Sequence, residues 1–587
     1  MEAPLQQKEL LGHPAGLFVC FTTEVWERFS FYGMKYLLLL YLTKYHLFSD
    51  TAGYDVLGAY AGLVYALPLI GGLIADRYLG MRKAVVFGAI LLTLGHATMA
   101  FEGSAATLYS AGSLLEAPLT LPGGDVIAAG TKLTEDVIIQ DTAALNVFFF
   151  ALALITVGVG FLKPNVSAIV GQLYEANDPR RDAGYTIYYM GINIGSFTAT
   201  LICGWLGETF GWSYGFGAAG IGMLLGLISF SYGQKYFYGK AEPENPEKLR
   251  AKLLGGISRE MLIYLCGVLS LAGIWVLVQH EPIVHLAQNS LLIVAIVGLI
   301  LYSMSFHQES VLHDKTAVML ALASVVSGLV WAFTDNDIGL GAMLVALVGY
   351  IIYGFKTNKH PEYSRTVVLM VLILSSVVFW ALFEQSAGSM TLYADRVLDR
   401  SIFGTEVRAS MFGSLNPAFI ILIALPLAWL WTWLGKRNME PSTPVKFGLG
   451  IIQAGLGFGA LVIGAQFPDE SGKVAMIWLV LAYLLHTTGE LCLSPVGLSA
   501  VTKLSIQRVV SVSMGTWFLA TALSETIATR IGKMASINIA GAETSSTTSM
   551  LATYTELYGF LMWLGIAVGI FMLAISPLLK RGMKGVH

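Results

Sequence analysis

Charge and cysteine are both scarce in this sequence of 587 residues. Asp, Glu, Lys and Arg make up only 12% of the chain, and the formal net charge is −3. Because no stripe of basic residues runs along the sequence, nucleic-acid binding is disfavoured. The four cysteines lack the spacing of metal ligands or of a disulfide framework, and neither a nucleophile elbow nor a phosphate-binding glycine loop is present. We therefore expect no nucleic-acid partner, no metal, no cofactor and no enzymatic activity.

Apolar residues, by contrast, dominate the sequence. Hydrophobic residues make up 55% of the chain, and the mean hydropathy is +0.67. Long apolar runs recur, each close to the ~20 residues that a helix needs to cross the hydrocarbon core of a bilayer. The alternating pattern of a transmembrane β-barrel is not seen. The sequence therefore predicts an all-α polytopic membrane protein surrounded by lipid.

The apolar runs fall into groups of six, four and six. An even insertion leaves the last six in the orientation of the first six, so two six-helix halves are the predicted working unit. The inserted region between the halves is expected to supply two to four spans. The predicted segments are an N-terminus (1–14), a first bundle (15–237) with an extracytoplasmic insert (about 102–142), a linker (238–259), inserted helices (260–360), a second bundle (361–580) and a tail (581–587).

Lys and Arg are distributed unevenly among the loops. With this span count, nearly all basic loops fall on the side that also holds both termini, and that side is predicted to be cytoplasmic. One loop with three arginines, at 396–408, is an exception, and three acidic residues offset its charge.

The first apolar span carries four ionisable residues, Glu24, Glu27, Arg28 and Lys35. At about 100° per residue, these positions share one stripe of a helix. A charged side chain near the membrane centre costs from about 2.5 kcal/mol upward, so this stripe is expected to face a bundle or an aqueous cavity. The alternative is that the charges only pair with one another and hold helices together.

Other polar residues also interrupt the later spans. Lys163 lies deep in the fourth span and is followed by Pro164, which frees backbone groups locally. Glu384 and Glu490 are the corresponding carboxylates of the second half. Each again has a structural alternative, a buried ion pair or a helix–helix hydrogen bond. The remaining candidates are Asn193, Asn416 and Ser494, with the aromatic residues Tyr32, Tyr65, Trp380 and Trp517 as possible pocket walls.

Taken together, the cations lie in the first half and carboxylates lie in both. A cavity with a cationic wall opposite an anionic wall suits a zwitterion, because countercharges offset the desolvation of its two ends. A small peptide is such a molecule.

Six sequence strings resemble those of a known family. The string EVWERFSFYG, at 24–33, resembles the ExxERFxYYG signature of the proton-coupled oligopeptide transporters (POT/PTR2), a branch of the major facilitator superfamily. Further strings at 184–197, 379–385, 414–419 and 489–503 resemble other signatures of that family in the same order. The sixth string resembles the cytoplasmic loop motif of the superfamily, and its matching residues are Gly72, Asp76, Arg77, Gly80, Arg82 and Lys83.

The resemblance implies two six-helix bundles that give alternating access to a central site, and proton-coupled import of di- and tripeptides. The proton gradient would be the energy source, the chain would work as a monomer, and it would lie in a bacterial inner membrane. Lys35–Glu384 and Lys163–Glu490 would be gate ion pairs. The implied proton-coupling residues are Glu24, Glu27, Arg28, Lys163 and Glu384.

The resemblance also implies how a peptide would bind. Its carboxylate would meet Lys35 and Lys163, and its amino group would meet Glu490, helped by Asn193 and Asn416. Two departures matter: Phe31 replaces the first Tyr of the signature, and the second span has no histidine. The alternatives are a transporter of another small anion or zwitterion, such as nitrate, or an intramembrane enzyme or sensor.

Overall fold

The computed structural model describes residues 8–121, 124–175, 178, 180–243, 245–253, 256–305, 315–334, 337–357, 361–537 and 546–585. Within these ranges the chain forms sixteen helices of 19 residues or more, with short strands and single helical turns between them. Twelve of the described helices are long and apolar enough to span a membrane. The all-α prediction is therefore confirmed.

The first half contains six long helices. A short hairpin, β1 (Glu9–Leu10) and β2 (His13–Pro14), precedes them. The first helix continues as a π-helical turn at Tyr41–Tyr45. The six are α1 (Ala15–Leu40), α2 (Asp50–Ile74), α3 (Met81–Met99), α4 (Thr142–Leu173), α5 (Arg181–Phe210) and α6 (Trp212–Gly233).

The insert of the first half folds into a lobe at one end of the bundle, here called the outer lobe, whose described residues are 102–121 and 124–141. Hydrogen bonds fasten this lobe to the end of the first helix: Tyr45 Oη donates to the Gly103 carbonyl at 2.8 Å, and Gln140 Nε2 donates to the His46 carbonyl at 2.6 Å. The lobe therefore rests on the end of the first half where α1 finishes and α2 begins. Its antiparallel strands are β3 (Thr107–Tyr109) with β6 (Val137–Ile139), and β4 (Leu119–Thr120) with β5 (Val126–Ile127).

Four long helices follow the linker, and three of them are long and apolar enough to span a membrane. One of them contacts both halves: the Gln288 Oε1 atom accepts a hydrogen bond from Thr526 Oγ1 at 2.7 Å, and the same side chain packs directly on Gly62. The short α7 (Pro246–Arg250) precedes the four, which are α8 (Arg259–Val278), α9 (Glu281–Ser305), α10 (Lys315–Thr334) and α11 (Asp337–Thr357).

The second half contains six more long helices and one short one. Its helices are α12 (Pro361–Phe383), the short α13 (Ser389–Arg396), α14 (Leu415–Lys436), α15 (Thr443–Gly464), α16 (Ile477–Leu504), α17 (Val510–Lys533) and α18 (Thr547–Gly582). Its short strands are β7 (Leu398–Asp399) with β10 (Val474–Ala475), and β8 (Ser401–Ile402) with β9 (Thr405–Glu406).

Glycines set the distance between neighbouring helices within each half. A Cβ atom on Gly195 of α5 would lie 2.2 Å from the Val25 carbonyl oxygen and 2.9 Å from Arg28 Cβ of α1. A Cβ on Gly71 of α2 would lie 2.0 Å from the Gly160 carbonyl oxygen of α4. Small residues allow this close approach, which replaces the hydrophobic effect as a source of packing energy in lipid. The contact at Gly195 also determines how α1 presents its charged face.

We expect Gly195→Ala to destabilise the protein, because the new methyl group must displace the backbone of α1. Overpacking of this kind costs about 1–3 kcal/mol. Gly559→Ala on α18 is the matched control, since an added Cβ there meets nothing within 4 Å. Thermal unfolding of the detergent-solubilised variants, followed by tryptophan fluorescence, compares the two. Equal unfolding temperatures would contradict the close α1–α5 contact.

Candidate functional site

The charged stripe of α1 is buried and internally paired. Pro14 precedes the helix and no proline interrupts it, so its 26 residues keep a regular helical period. Arg28 Nε donates to Glu24 Oε1 at 2.8 Å, and Tyr188 of α5 donates its hydroxyl to Glu24 Oε2 at 2.5 Å. Glu24 is therefore held from its own helix and from the neighbouring one.

Glu27 differs from Glu24 in its hydrogen bonding. Its Oε2 atom lies 3.2 Å from Arg28 Nε, but neither carboxylate oxygen has a hydrogen-bond partner among the described residues. The side chain is 1% exposed. Glu27 is thus a buried carboxylate whose charge is balanced by one arginine without an aligned hydrogen bond.

Lys35 joins the two halves. Its Nζ atom lies 2.8 Å from Glu384 Oε2 and 2.9 Å from Glu525 Oε1. Glu384 stands where α12 ends and tightens into a 3-10 turn, and Glu525 lies on α17. The family resemblance pairs Lys35 with Glu384 alone. Glu525 was missed, although a carboxylate within a largely apolar span is the same signal that identified Glu384.

Lys163 and Glu490 do not contact each other in this conformation, so the predicted ion pair between them is absent. In the described part of the chain, no carboxylate lies within 4.0 Å of Lys163, whose Nζ is 4.3 Å from the Tyr65 ring centroid. Glu490 Oε2 accepts a hydrogen bond from Asn416 Nδ2 at 2.8 Å. Each group is instead held within its own half, the ammonium by an aromatic ring and the carboxylate by an amide.

The other predicted site residues lie on helices around these charges, and several of them already contact neighbouring groups. Asn193 donates to the Tyr189 carbonyl of its own helix, and the Trp517 ring packs on Gly497. The indole Nε1 of Trp380 is buried and has no hydrogen-bond partner in the described ranges. Tyr32 and Ser494 are half-buried. The polar groups of Asn193 and Asn416 are therefore engaged already, whereas that of Trp380 is available.

The 72–83 loop motif lies apart from the buried charges described above, and it joins the first half to the linker. Gly80 has a φ of +80°, which favours glycine, and a Cβ there would lie 2.5 Å from the Pro243 nitrogen. Arg82 pairs with Glu242, and Lys83 Nζ lies 2.6 Å from Glu260 Oε1 of α8.

An outer seam of polar contacts closes one end of the molecule between the halves. The Arg396 guanidinium makes two hydrogen bonds to the Asp50 carboxylate, at 2.6 and 2.7 Å. Lys44 Nζ lies 2.9 Å from Asp395 Oδ1, and Lys533 pairs with Asp55. These pairs, together called the outer seam, stand at the end where α1 finishes and α2 begins. The two halves are therefore in contact at this end.

The site holds acids and bases but no metal-binding arrangement that the described residues could provide: none of their His, Cys, Asp and Glu side chains group in threes. The buried charges instead pair within α1, where Arg28 meets Glu24 and Glu27, and between the halves, where Lys35 meets Glu384 and Glu525. Such pairs can change partners when the halves move or when a carboxylate gains a proton.

Comparison with known proteins gives a consistent result. The sequence model described as the POT family (PTR2) matches residues 82–545. The uncharacterized transporter YclF of Bacillus subtilis is 36% identical to this chain, over 99% of this chain and 97% of its own length. A di-/tripeptide transporter of Lactococcus lactis is 31% identical, over 98% and 97% of the two chains.

Solved structures agree with the sequence relatives. The crystal structure of a peptide transporter POT in complex with alafosfalin is 30% identical and has a TM-score of 0.68, over 99% of this chain and 98% of the other. The predicted major facilitator fold, with two six-helix bundles and additional helices between them, is thereby confirmed. This multi-pass membrane protein belongs to the POT family of transporters.

Proposed function

We propose that this chain imports di- and tripeptides together with protons by alternating access to a site between its halves. The observation that carries the proposal is the buried contact of Lys35, in the first half, with Glu384 and Glu525, in the second. Ionic contacts of this kind stabilise one arrangement of the halves and depend on the protonation of the carboxylates. The names of the relatives support the substrate class.

The charges around the site suit the two ends of a peptide. Lys35 is already occupied by two carboxylates, so Lys163 is the cation proposed to receive the peptide's carboxylate, with Arg28 nearby. Glu490, assisted by Asn416, is proposed to receive the amino group. Tyr65 and Trp380 would contact the peptide's side chains. A charge at each end of the site selects a zwitterion of limited length.

Proton coupling is proposed to begin at the Glu24–Glu27–Arg28 cluster. Glu27 is the member that loses least when it takes up a proton, because its oxygens accept no hydrogen bond from the described residues. Protonation would free Arg28 from one of two carboxylates and weaken the hold of this cluster on α1. Energy would come from the proton gradient and no cofactor would be needed.

We also propose an oligomeric state and a membrane orientation for this protein. The chain is proposed to function as a monomer. The basic loops support a cytoplasmic location for both termini, and the outer seam would then lie on the opposite face of a bacterial inner membrane. Nitrate is a weaker candidate substrate, because it has no amino group and would leave Glu490 without a role. Enzymatic activity is not part of the proposal.

Uptake of labelled dialanine into proteoliposomes tests this function directly. With an inward proton gradient we expect accumulation above equilibrium, because proton entry drives peptide entry, and we expect a protonophore to abolish it. Unlabelled dialanine should compete, whereas nitrate and N-acetyl-dialanine should compete poorly, since neither offers an amino group to Glu490. Absence of dialanine uptake under all conditions would overturn the substrate assignment.

Glu27→Gln is expected to abolish gradient-driven accumulation, because an amide cannot bind and release a proton. Counterflow of dialanine, which needs no net proton movement, should continue. Glu116→Gln, at an exposed position in the outer lobe, is the control and should behave as the unchanged protein. Accumulation that persists in Glu27→Gln would remove this residue from proton coupling.

Arg396→Gln is expected to open the outer seam, because it leaves the Asp50 carboxylate buried without its partner. Breaking such a pair costs about 3–5 kcal/mol. Labelling of a cysteine at Ser389, which is fully buried beneath the seam, should accelerate by at least about tenfold. Cys266, an exposed cysteine, is first replaced by Ser.

Lys44→Gln is the matched control for this experiment. The Lys44 side chain is 46% exposed, and surface pairs contribute about 0–1 kcal/mol, so labelling should change little. Equal labelling rates for the two variants would contradict the proposed role of Arg396 in closing the seam.

A further inference from the structure

The contact of Lys35 with Glu384 and Glu525 brings two carboxylates to a single ammonium group. The Lys35 and Glu525 side chains are 3% and 4% exposed, and that of Glu384 is 11% exposed. Among the described residues, Lys35 is the only cation within 4.0 Å of either carboxylate. If both carboxylates were ionised, this group, here called the Lys35 triad, would carry a net charge of −1 away from water.

The surroundings of the triad do not supply the missing positive charge. Lys163 of α4 faces the same Tyr65 ring as Lys35, at 4.3 Å and 5.9 Å from its centroid. Lys163 and Arg28 of α1 together balance the charges of Glu24 and Glu27, so neither is left over for the triad. On α2, the groups that interact with Glu525 are the phenols Tyr60 and Tyr65, which are neutral at physiological pH. On α9, Glu281 lies near Arg530 and Lys533, and His285 follows it by one helical turn. On α16, Glu490 is bonded to Asn416 and His486 to the Ala454 carbonyl.

An unbalanced buried charge is costly, and one proton removes the cost. We propose that Glu384 and Glu525 share one proton whenever the outer end is closed, so that Glu525 is a proton-binding and positioning residue of the transporter. The proposal rests on the proton coupling proposed above. It assigns a role to a residue outside the coupling cluster of α1.

The proton balance of the triad is simple. A proton from the outer solution binds one carboxylate oxygen, and the new O–H group can donate to the other carboxylate. The triad then holds one ammonium, one carboxylate and one carboxylic acid, with no net charge. When water reaches the triad from the inner side, the proton leaves to that water and the net charge of −1 returns.

The second carboxylate reverses the expected effect of acid on the outer gate. With one carboxylate, protonation would break the only ion pair of Lys35 and release the gate. With two, protonation of either leaves the other on Lys35, and the closed arrangement becomes neutral. Acidification therefore closes the outer end in this protein, and deprotonation favours opening.

The distance between the outer ends of the two halves reports on this equilibrium. Spin labels at Phe101 and Phe403, both exposed and located in opposite halves, are introduced after replacing Cys266 with Ser. In the parent protein, the ratio of closed to open molecules should rise as pH falls, by up to about tenfold per pH unit for one linked proton. The measurement needs neither peptide nor gradient.

Glu525→Gln should invert this pH dependence. The variant triad is neutral without a proton, so acidification can only protonate Glu384 and break its contact with Lys35. Glu384→Gln, the mirror variant, should show the same inversion through Glu525, which keeps the test available if one variant fails to fold. Glu525→Asp keeps a carboxylate and should restore the parent direction.

Glu281→Gln is the matched control, because it removes a buried carboxylate beside α17 but outside the triad. It should keep the parent direction. The proposal is overturned if Glu525→Gln and Glu384→Gln both follow the parent, or if Glu281→Gln also inverts. If Glu525→Gln inverts the pH dependence but the parent protein takes up no dialanine, the shared proton is supported and only the peptide substrate is rejected.

Discussion

The two halves of this transporter meet through an ammonium group that is buried between carboxylates of the opposite half. Removal of an ion from water is unfavourable unless its partners come with it, so Lys35 holds α1 against α12 and α17 only while those partners are in place. The outer seam adds further pairs above it, among them the two hydrogen bonds of Arg396 to Asp50. Ion pairs therefore close this end of the molecule, and their strength depends on the protonation of their carboxylates.

The charges deeper in the molecule are arranged differently. Lys163 rests over the Tyr65 ring and Glu490 is bonded to Asn416, so each interacts within its own half. Groups held in this way can exchange their partners for the charged ends of a ligand without losing an ion pair between the halves. The two sets therefore differ in geometry: the pairs of Lys35 link the halves, whereas the contacts of Lys163 and Glu490 stay within each half.

The regions added to the twelve-helix core are attached through polar contacts. The outer lobe is bonded to the end of α1, and α8 is tied to the 72–83 loop through Lys83 and Glu260. Gln288 of α9 contacts both Gly62 in the first half and Thr526 in the second. The helix α9 therefore lies where the halves join, and movement of α2 against α17 must involve it.

Much of the architecture could be predicted from the sequence. Hydrophobic runs of the length of a bilayer predict the spans, because backbone groups in lipid must bond within a helix. The period of 3.6 residues predicts the shared face of Glu24, Glu27 and Arg28 in the same way. The family strings predicted the pairing of Lys35 with Glu384, which lies 349 positions further along the chain.

The sequence by itself thus determined the all-α membrane fold, the two halves and the charged face of α1, since these depend on local periodicity and on the solvent. Only the tertiary structure decided that Glu525 shares Lys35 with Glu384, and that Lys163 and Glu490 stay with partners of their own half. Contacts between distant helices depend on which arrangement of the halves the chain adopts. Hydrophobic pattern does not encode that choice, because the same apolar faces pack against lipid and protein in either arrangement.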